Sequence, residues 1–288
     1  MQLTIAYDGS DGAAHAIAAA GRLFEGATAT VVVVPDETPP VPPDAIARVT
    51  AAINLQAQTI LDAGVEAASA AGLSAEGVVA APHARIWEGL LAAAAGSDVL
   101  VCGSRGRGGL ARAMLGSVSA SLLHHSTLPL LVVPEAELSD GPAVLAFDGS
   151  EVASHAIAAT GPLLARPAVV VHVWESPYRH SLAGRALAGV SDLDEIVAGL
   201  EESIAQAASE ITDTGVELAR FAGFDARGET VDSGDGVWRA VSATAADLDA
   251  AVIVTGSRGH GGARSALLGS ASSGLAHNAE RPVLIVPS

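Results

Sequence analysis

Gly103-Ser104-Arg105-Gly106, followed by Gly116-Ser117, returns almost letter for letter as Gly256-Ser257-Arg258-Gly259 and Gly269-Ser270. The spacing is G-x2-G-x9-G-S both times. Residues 103–117 and 256–270 align without a gap, with ten identities in fifteen positions. Each copy follows an apolar run, residues 99–102 or 251–255, that reads as a buried strand. Each also precedes a helix-like stretch. A glycine-rich turn between a strand and a helix is where α/β proteins hold phosphates, and here it occurs twice.

The repetition extends outward from the turn. Leu128-Pro129-Leu130-Leu131-Val132-Val133-Pro134 matches Arg281-Pro282-Val283-Leu284-Ile285-Val286-Pro287. Ala6-Tyr7-Asp8-Gly9-Ser10 matches Ala146-Phe147-Asp148-Gly149-Ser150, and His15-Ala16-Ile17 recurs as His155-Ala156-Ile157. A period near half the chain is too long for a solenoid. It predicts a duplicated domain of ordinary size, residues 1–137 and 142–288, joined by a polar stretch with Asp140-Gly141-Pro142 as turn chemistry.

Composition narrows the function classes. Half of the residues are hydrophobic, enough for two compact soluble domains. No apolar run reaches the roughly 18 residues needed to cross a bilayer. The N-terminus enters a strand directly, so no signal peptide and a cytoplasmic location are expected. The net charge of −17 disfavours nucleic acid and anionic membranes as partners. All 15 basic residues are arginine. Without lysine, P-loop hydrolysis, protein-kinase chemistry and a Schiff base are closed in their usual forms. The lone cysteine, Cys102, rules out an internal disulfide and a cysteine-built metal site; it reads as a small core hydrophobe.

Strands are expected at residues 3–7, 28–34, 73–81, 99–102 and 130–133, with helices between them and Trp87 packing on the sheet. In the second half they are expected at 143–146, 168–173, 216–221, 251–255 and 283–286, with 222–236 unassigned. Valine-rich runs suit strands covered on both faces. The alternation predicts an α/β fold: two tandem doubly wound, Rossmann-like domains, each a five-stranded parallel sheet flanked by helices. Ligands of such sheets sit beyond the carboxyl ends of the strands, where strand order reverses. Asp8, Val34 and Gly103 fall at such ends, as do Asp148, Val173 and Gly256.

Glycines let backbone N–H groups approach a phosphate, and a helix opening near Gly116-Ser117 or Gly269-Ser270 adds a positive dipole end and a hydroxyl. The competing reading is a tight turn capped by serine. Asp8 and Asp148 suit ribose hydroxyls or a water-held magnesium, or else serve as turn aspartates. Arg105, Arg107 and Arg258 suit phosphate oxygens, solvent, or contacts to the other half. His260 replaces the second arginine in copy two. His124, His125 and His277 lack a third partner for a metal. His15 and His155 read as helix-surface or interface residues. No hydrolytic triad or carboxylate pair stands out.

Over essentially its whole length the chain resembles a tandem universal stress protein of the ATP-binding type, on G-x2-G-x9-G-[ST] in context twice, the strand-one aspartate and the proline-bounded last strand. The resemblance implies ATP with Mg2+ as ligand, and another adenine nucleotide, such as cyclic AMP, stays open. It implies that Asp8 and Asp148 lie at the ribose and adenine end, and that Val34 and Val173 meet adenine through their backbone. Gly103, Gly106, Gly116, Ser117 and the N–H of Val118 would hold phosphates in half one; Gly256, Gly259, Gly269, Ser270 and the N–H of Ala271 would do so in half two. It further implies an intramolecular pseudo-dimer through antiparallel pairing of the last strands, which would cover two exposed edges. A further homodimer and a protein partner stay open. Three functions compete: a nucleotide-dependent stress-response regulator without turnover, a slow ATPase or phosphotransferase, and a nucleotide-free interaction module.

Overall fold

The computed structural model describes residues 1–81, 83, 85–106, 115–176, 191–234 (191–197 as backbone), 236–259 and 268–288. The first half runs β1 (Gln2–Ala6), α1 (Asp11–Leu23), β2 (Thr28–Val33), α2 (Pro43–Ala70), β3 (Ser74–Val79), α3 (Ile86–Ala93), β4 (Val99–Gly103), α4 (Ser117–His125) and β5 (Leu130–Val133). The second half runs β6 (Ala143–Ala146), α5 (Glu151–Thr160), β7 (Ala168–Trp174), α6 (Ser191–Phe221), β8 (Ala226–Asp232), α7 (Val237–Asp247), β9 (Val252–Gly256), α8 (Ser270–Asn278) and β10 (Val283–Val286).

Among the described residues ten strands form a single sheet in the order β3-β2-β1-β4-β5-β10-β9-β6-β7-β8. Pairing is parallel within each half and antiparallel only where β5 meets β10, with Leu284 opposite Leu131. Each half is therefore doubly wound, with strand order reversing between β1 and β4 and again between β6 and β9. The strands of the two halves run in opposite directions, so their carboxyl ends lie at opposite ends of the sheet.

Period-two alternation sends side chains into two cores. Leu3, Ile5, Val31, Val33, Val99 and Val101 pack with Ile17 of α1, Leu61 of α2, Ile157 of α5 and Ala219 of α6. Val32, Leu100, Cys102 and Ile253 pack with Leu90 of α3, Leu122 of α4, Val241 of α7 and Leu275 of α8. Helices thus cover both faces, which is what runs of β-branched residues require.

The first helix of each half starts the same way. Gly9 and Gly149 take φ of +81° and +83°, which favours glycine. Ser10 and Ser150 then cap the helices, accepting from the backbone N–H of Ala13 and Ala153 at 3.2 and 3.1 Å.

One strand lies elsewhere than the sequence suggested. Residues 216–221 form the last turns of α6, and the strand of that unit is β8 at Ala226–Asp232. Val216 and Ala219 are buried at helical spacing, and Gly223 at φ +101° ends the helix. The true strand escaped notice because it is an outer edge carrying the ion-paired Arg227 and Glu229, without a continuous apolar run.

The link between halves is wired by arginines. Arg166 donates to the carbonyls of Gly141 at 3.1 Å and Arg22 at 3.0 Å. Arg22 donates to the Leu138 carbonyl at 3.3 Å. Arg281 meets Asp249 at 2.8 Å, and Ser139 donates to the carbonyl of the same Asp249.

Candidate functional site

At the first strand-order reversal the chain leaves an open cavity of about 290 Å³. Ala6, Tyr7 and Asp8 form the wall beyond β1, with Val32 and Val34 beside them and Ile86 and Leu90 of α3 opposite. Cys102, Gly103, Arg105 and Gly106 continue the wall from β4, and Gly116, Ser117, Val118 and Ser119 close it at the start of α4. One end is therefore apolar and the other is made of glycine turn and helix N-terminus.

The polar end is built from backbone. Gly116 is the N-cap of α4 and receives no side-chain cap. The first N–H groups of a helix have no intrahelical partner, and they open here toward the cavity. The turn is fixed from both sides: the Gly116 N–H donates to the Ser104 carbonyl at 2.8 Å, and the Ser104 N–H to the Val133 carbonyl at 2.7 Å. Half two repeats both bonds, from Gly269 to Ser257 at 2.9 Å and from Ser257 to Val286 at 2.8 Å.

Glycine is required at two places. A Cβ on Gly106 would collide with Oδ2 of Asp8, and one on Gly103 would lie 2.8 Å from the carbonyl oxygen of Gly12. The same collision recurs between Gly259 and Asp148. The other carboxylate oxygen, Oδ1, accepts from the N–H of Ser10 at 3.0 Å and its hydroxyl at 2.6 Å. In half two, Asp148 Oδ1 accepts from the N–H of Ser150 at 3.0 Å. Each aspartate is thus oriented by its own turn while its second oxygen lies against the glycine turn.

Ser119 and Ser272 are the residues that sequence reasoning passed over. Both are buried, and their hydroxyls donate to the carbonyls of Gly103 at 2.7 Å and Gly256 at 2.6 Å. They pin the last residue of the strand to the helix that follows. The signal was present as a second serine two places after Gly-Ser in both copies.

All seven half-one candidates, Asp8, Val34, Gly103, Gly106, Gly116, Ser117 and Val118, line one cavity. Arg105 also lines it but is ion-paired with Glu135 at 3.3 Å. In half two, Val173 lies near the end of β7, Asp148 follows β6, and Gly256 ends β9. Gly259, Gly269, Ser270 and Ala271 follow at the glycine turn and the opening of α8. Arg258 donates to the Ser288 hydroxyl at 2.7 Å. Arg107 and His260 lie outside the described residues.

Trp87 stacks on His125, with ring centroids 4.3 Å apart. It therefore meets α4 as well as the core. Among the described residues no cluster of three His, Cys, Asp or Glu could hold a metal, and no helix is long and apolar enough to cross a membrane. Cys102 faces the cavity wall yet is buried, and desolvation pushes its thiol up to about 12 despite a hydrogen bond with Ser119.

A doubly wound α/β fold with a glycine turn at each reversal defines the class. The sequence model of the universal stress protein family matches residues 1–134 and 142–287, and the chain belongs to that family. A universal stress protein of Mycolicibacterium smegmatis is 32% identical over 207 residues, 68% of this chain and 64% of its own length. One from Mycobacterium tuberculosis H37Rv is 31% identical over 197 residues, 66% of this chain and 61% of its own. The match thus spans under two thirds of those relatives. A universal stress protein structure from Archaeoglobus fulgidus superposes with a TM-score of 0.68 at 20% identity, covering 99% of this chain and 98% of that one. A protein of unknown function from Pseudomonas aeruginosa PAO1 gives 0.56 at 16% identity, covering 99% and 92%. At those identities the two structures speak for the fold alone.

Proposed function

We propose that the half-one cavity binds ATP with magnesium, and that the chain is a cytoplasmic, nucleotide-dependent regulator of the stress response, not an enzyme of rapid turnover. One observation carries the reading: an apolar pocket and an open helix N-terminus share one cavity, with an oriented aspartate between them.

Each part suits a part of the ligand. Val32, Val34 and Leu90 suit an adenine ring, with the Val34 backbone at its edge. Asp8 suits ribose hydroxyls. Gly103, Gly106, Gly116, Ser117 and the N–H of Val118 suit the phosphates, because glycine lets an anion reach the backbone and the dipole favours negative charge. Gly103 and Gly106 pack so closely on Gly12 and Asp8 that a side chain has no room there, which leaves the turn as bare backbone beside the open start of α4 and supports a fit to a polyphosphate. Magnesium would neutralise part of the phosphate charge, with Asp8 the nearest carboxylate from the turn. The equivalent set in half two is a second candidate, made of Asp148, Val173, Gly256, Gly259, Gly269, Ser270 and Ala271. In this reading residues 1–137 and 142–288 form two nucleotide-binding domains paired as an intramolecular pseudo-dimer.

Turnover is disfavoured because the cavity lacks lysine and presents Asp8 as its only carboxylate among the described lining residues. Calorimetric titration with Mg–ATP, with nucleotide released on denaturation counted per chain by mass, tests the proposal. Saturable binding in the micromolar range is expected. No heat at high micromolar ATP, and no released nucleotide, would sink it.

A further inference from the structure

Arg105 lines two cavities at once. It lies in the half-one cavity and also in a second, polar cavity of about 460 Å³ between the halves. There it pairs with Glu135, and His277, Asn278, Glu280 and Arg281 of half two line the same cavity. Arg105 is mostly covered, its side chain 18% exposed, whereas Glu135 is 44% exposed. A guanidinium on the phosphate turn is thus already engaged by a carboxylate of its own chain.

The carboxylate has a prepared seat. A Cβ on Gly12 would lie 3.0 Å from Glu135 Oε1 and 2.8 Å from the Arg105 carbonyl oxygen. Gly12 belongs to the first turn of α1, where the helix dipole favours negative charge. Half two has Val152 at the matching position, and its Cγ1 packs over Gly256. Arg258 there is engaged by the Ser288 hydroxyl. The seat for a carboxylate is thus built where Gly12 stands and is filled by a valine in the other half.

We infer that Glu135 is an internal competitor for Arg105 that sets how strongly the half-one cavity prefers ligands with more phosphates. The inference rests on the nucleotide reading above. A ligand phosphate that reaches Arg105 must displace Glu135, whose freed carboxylate stays in the polar cavity between the halves that it already lines. A ligand without phosphate leaves the pair intact. Guanidinium pairs with carboxylate and with phosphate are both charge-assisted, so a phosphate that takes Arg105 trades one such pair for another and gains less than it would without Glu135.

The test is calorimetric titration of the full chain with adenosine, ADP and ATP, using native protein, E135Q, R105Q and the double variant. Glu135→Gln should tighten ATP and ADP roughly three- to tenfold, with adenosine unchanged. That gain should vanish in the Arg105→Gln background, as expected when two residues act through one contact. Raised salt should shrink it, since the pair is partly exposed. A shift of adenosine equal to that of ATP, or no shift at all, would overturn the inference and leave nucleotide binding standing. Failure of the native chain to bind any of the three ligands would overturn the nucleotide reading itself, and this inference with it.

Discussion

Oδ2 of Asp8 occupies the place that a Cβ on Gly106 would need, and the same holds for Asp148 and Gly259. An oriented carboxylate and a bare backbone therefore touch at the floor of each candidate cradle. The contact brings the ends of β1 and β4, or of β6 and β9, to one point.

Gly106→Ala should push Asp8 aside or distort the turn. Overpacking of this kind costs about 1–3 kcal/mol, read as a lowered urea midpoint. ATP affinity should fall at least about tenfold. Gly259→Ala should act likewise in half two. A loss of stability with affinity intact would favour an interaction module over a nucleotide site.

Ser119→Ala should leave the buried Gly103 carbonyl without its 2.7 Å donor. Stranding a buried acceptor costs about 1–3 kcal/mol. Ser272→Ala should cost a similar amount through Gly256. The two sites belong to different halves, so the double variant should show additive losses in urea unfolding. Equal stability of native and variant chains would refute the pinning role.

Cys102 should make stability fall in alkali. Its thiol is raised from 9.0 to about 12 in the fold by burial. Below pH 9 both states hold the proton and nothing changes. Above pH 9 the unfolded thiol ionises while the folded one does not, so unfolding is favoured as pH rises toward 12. The loss amounts to roughly 4 kcal/mol at most. Cys102→Ala should flatten that part of the stability curve relative to native protein. Iodoacetamide should leave native Cys102 untouched at pH 8 and label it after unfolding.

Much of this was legible because the repeated residues are those whose physics is local. Gly9 and Gly149 need positive φ, Ser10 and Ser150 cap, and alternating valines face two helix layers. The half-one candidates met in one cavity because they stood at the ends of β1, β2 and β4 or at the opening of α4. What stayed hidden depended on partners far apart in sequence. Glu135 gains its meaning from Arg105 and Gly12. Ser119 gains its own from a carbonyl 16 residues back. Trp87 finds His125 only through the packing of α3 on α4. The strand β8 was hidden for the opposite reason: Arg227, Glu229 and Asp232 interrupt it locally, so it lacks the apolar signature of its neighbours.

The pairing of Leu131 with Leu284 across β5 and β10 has an evolutionary side. In an assembly of identical subunits every substitution is made twice, so the two sites must change together. Here both sides of the junction are encoded in one chain, and each site can change alone. Gly12 against Val152, and Pro35 against Trp174, are differences that identical subunits could not hold. With both halves in one chain, a substitution in either glycine turn leaves the other as it was.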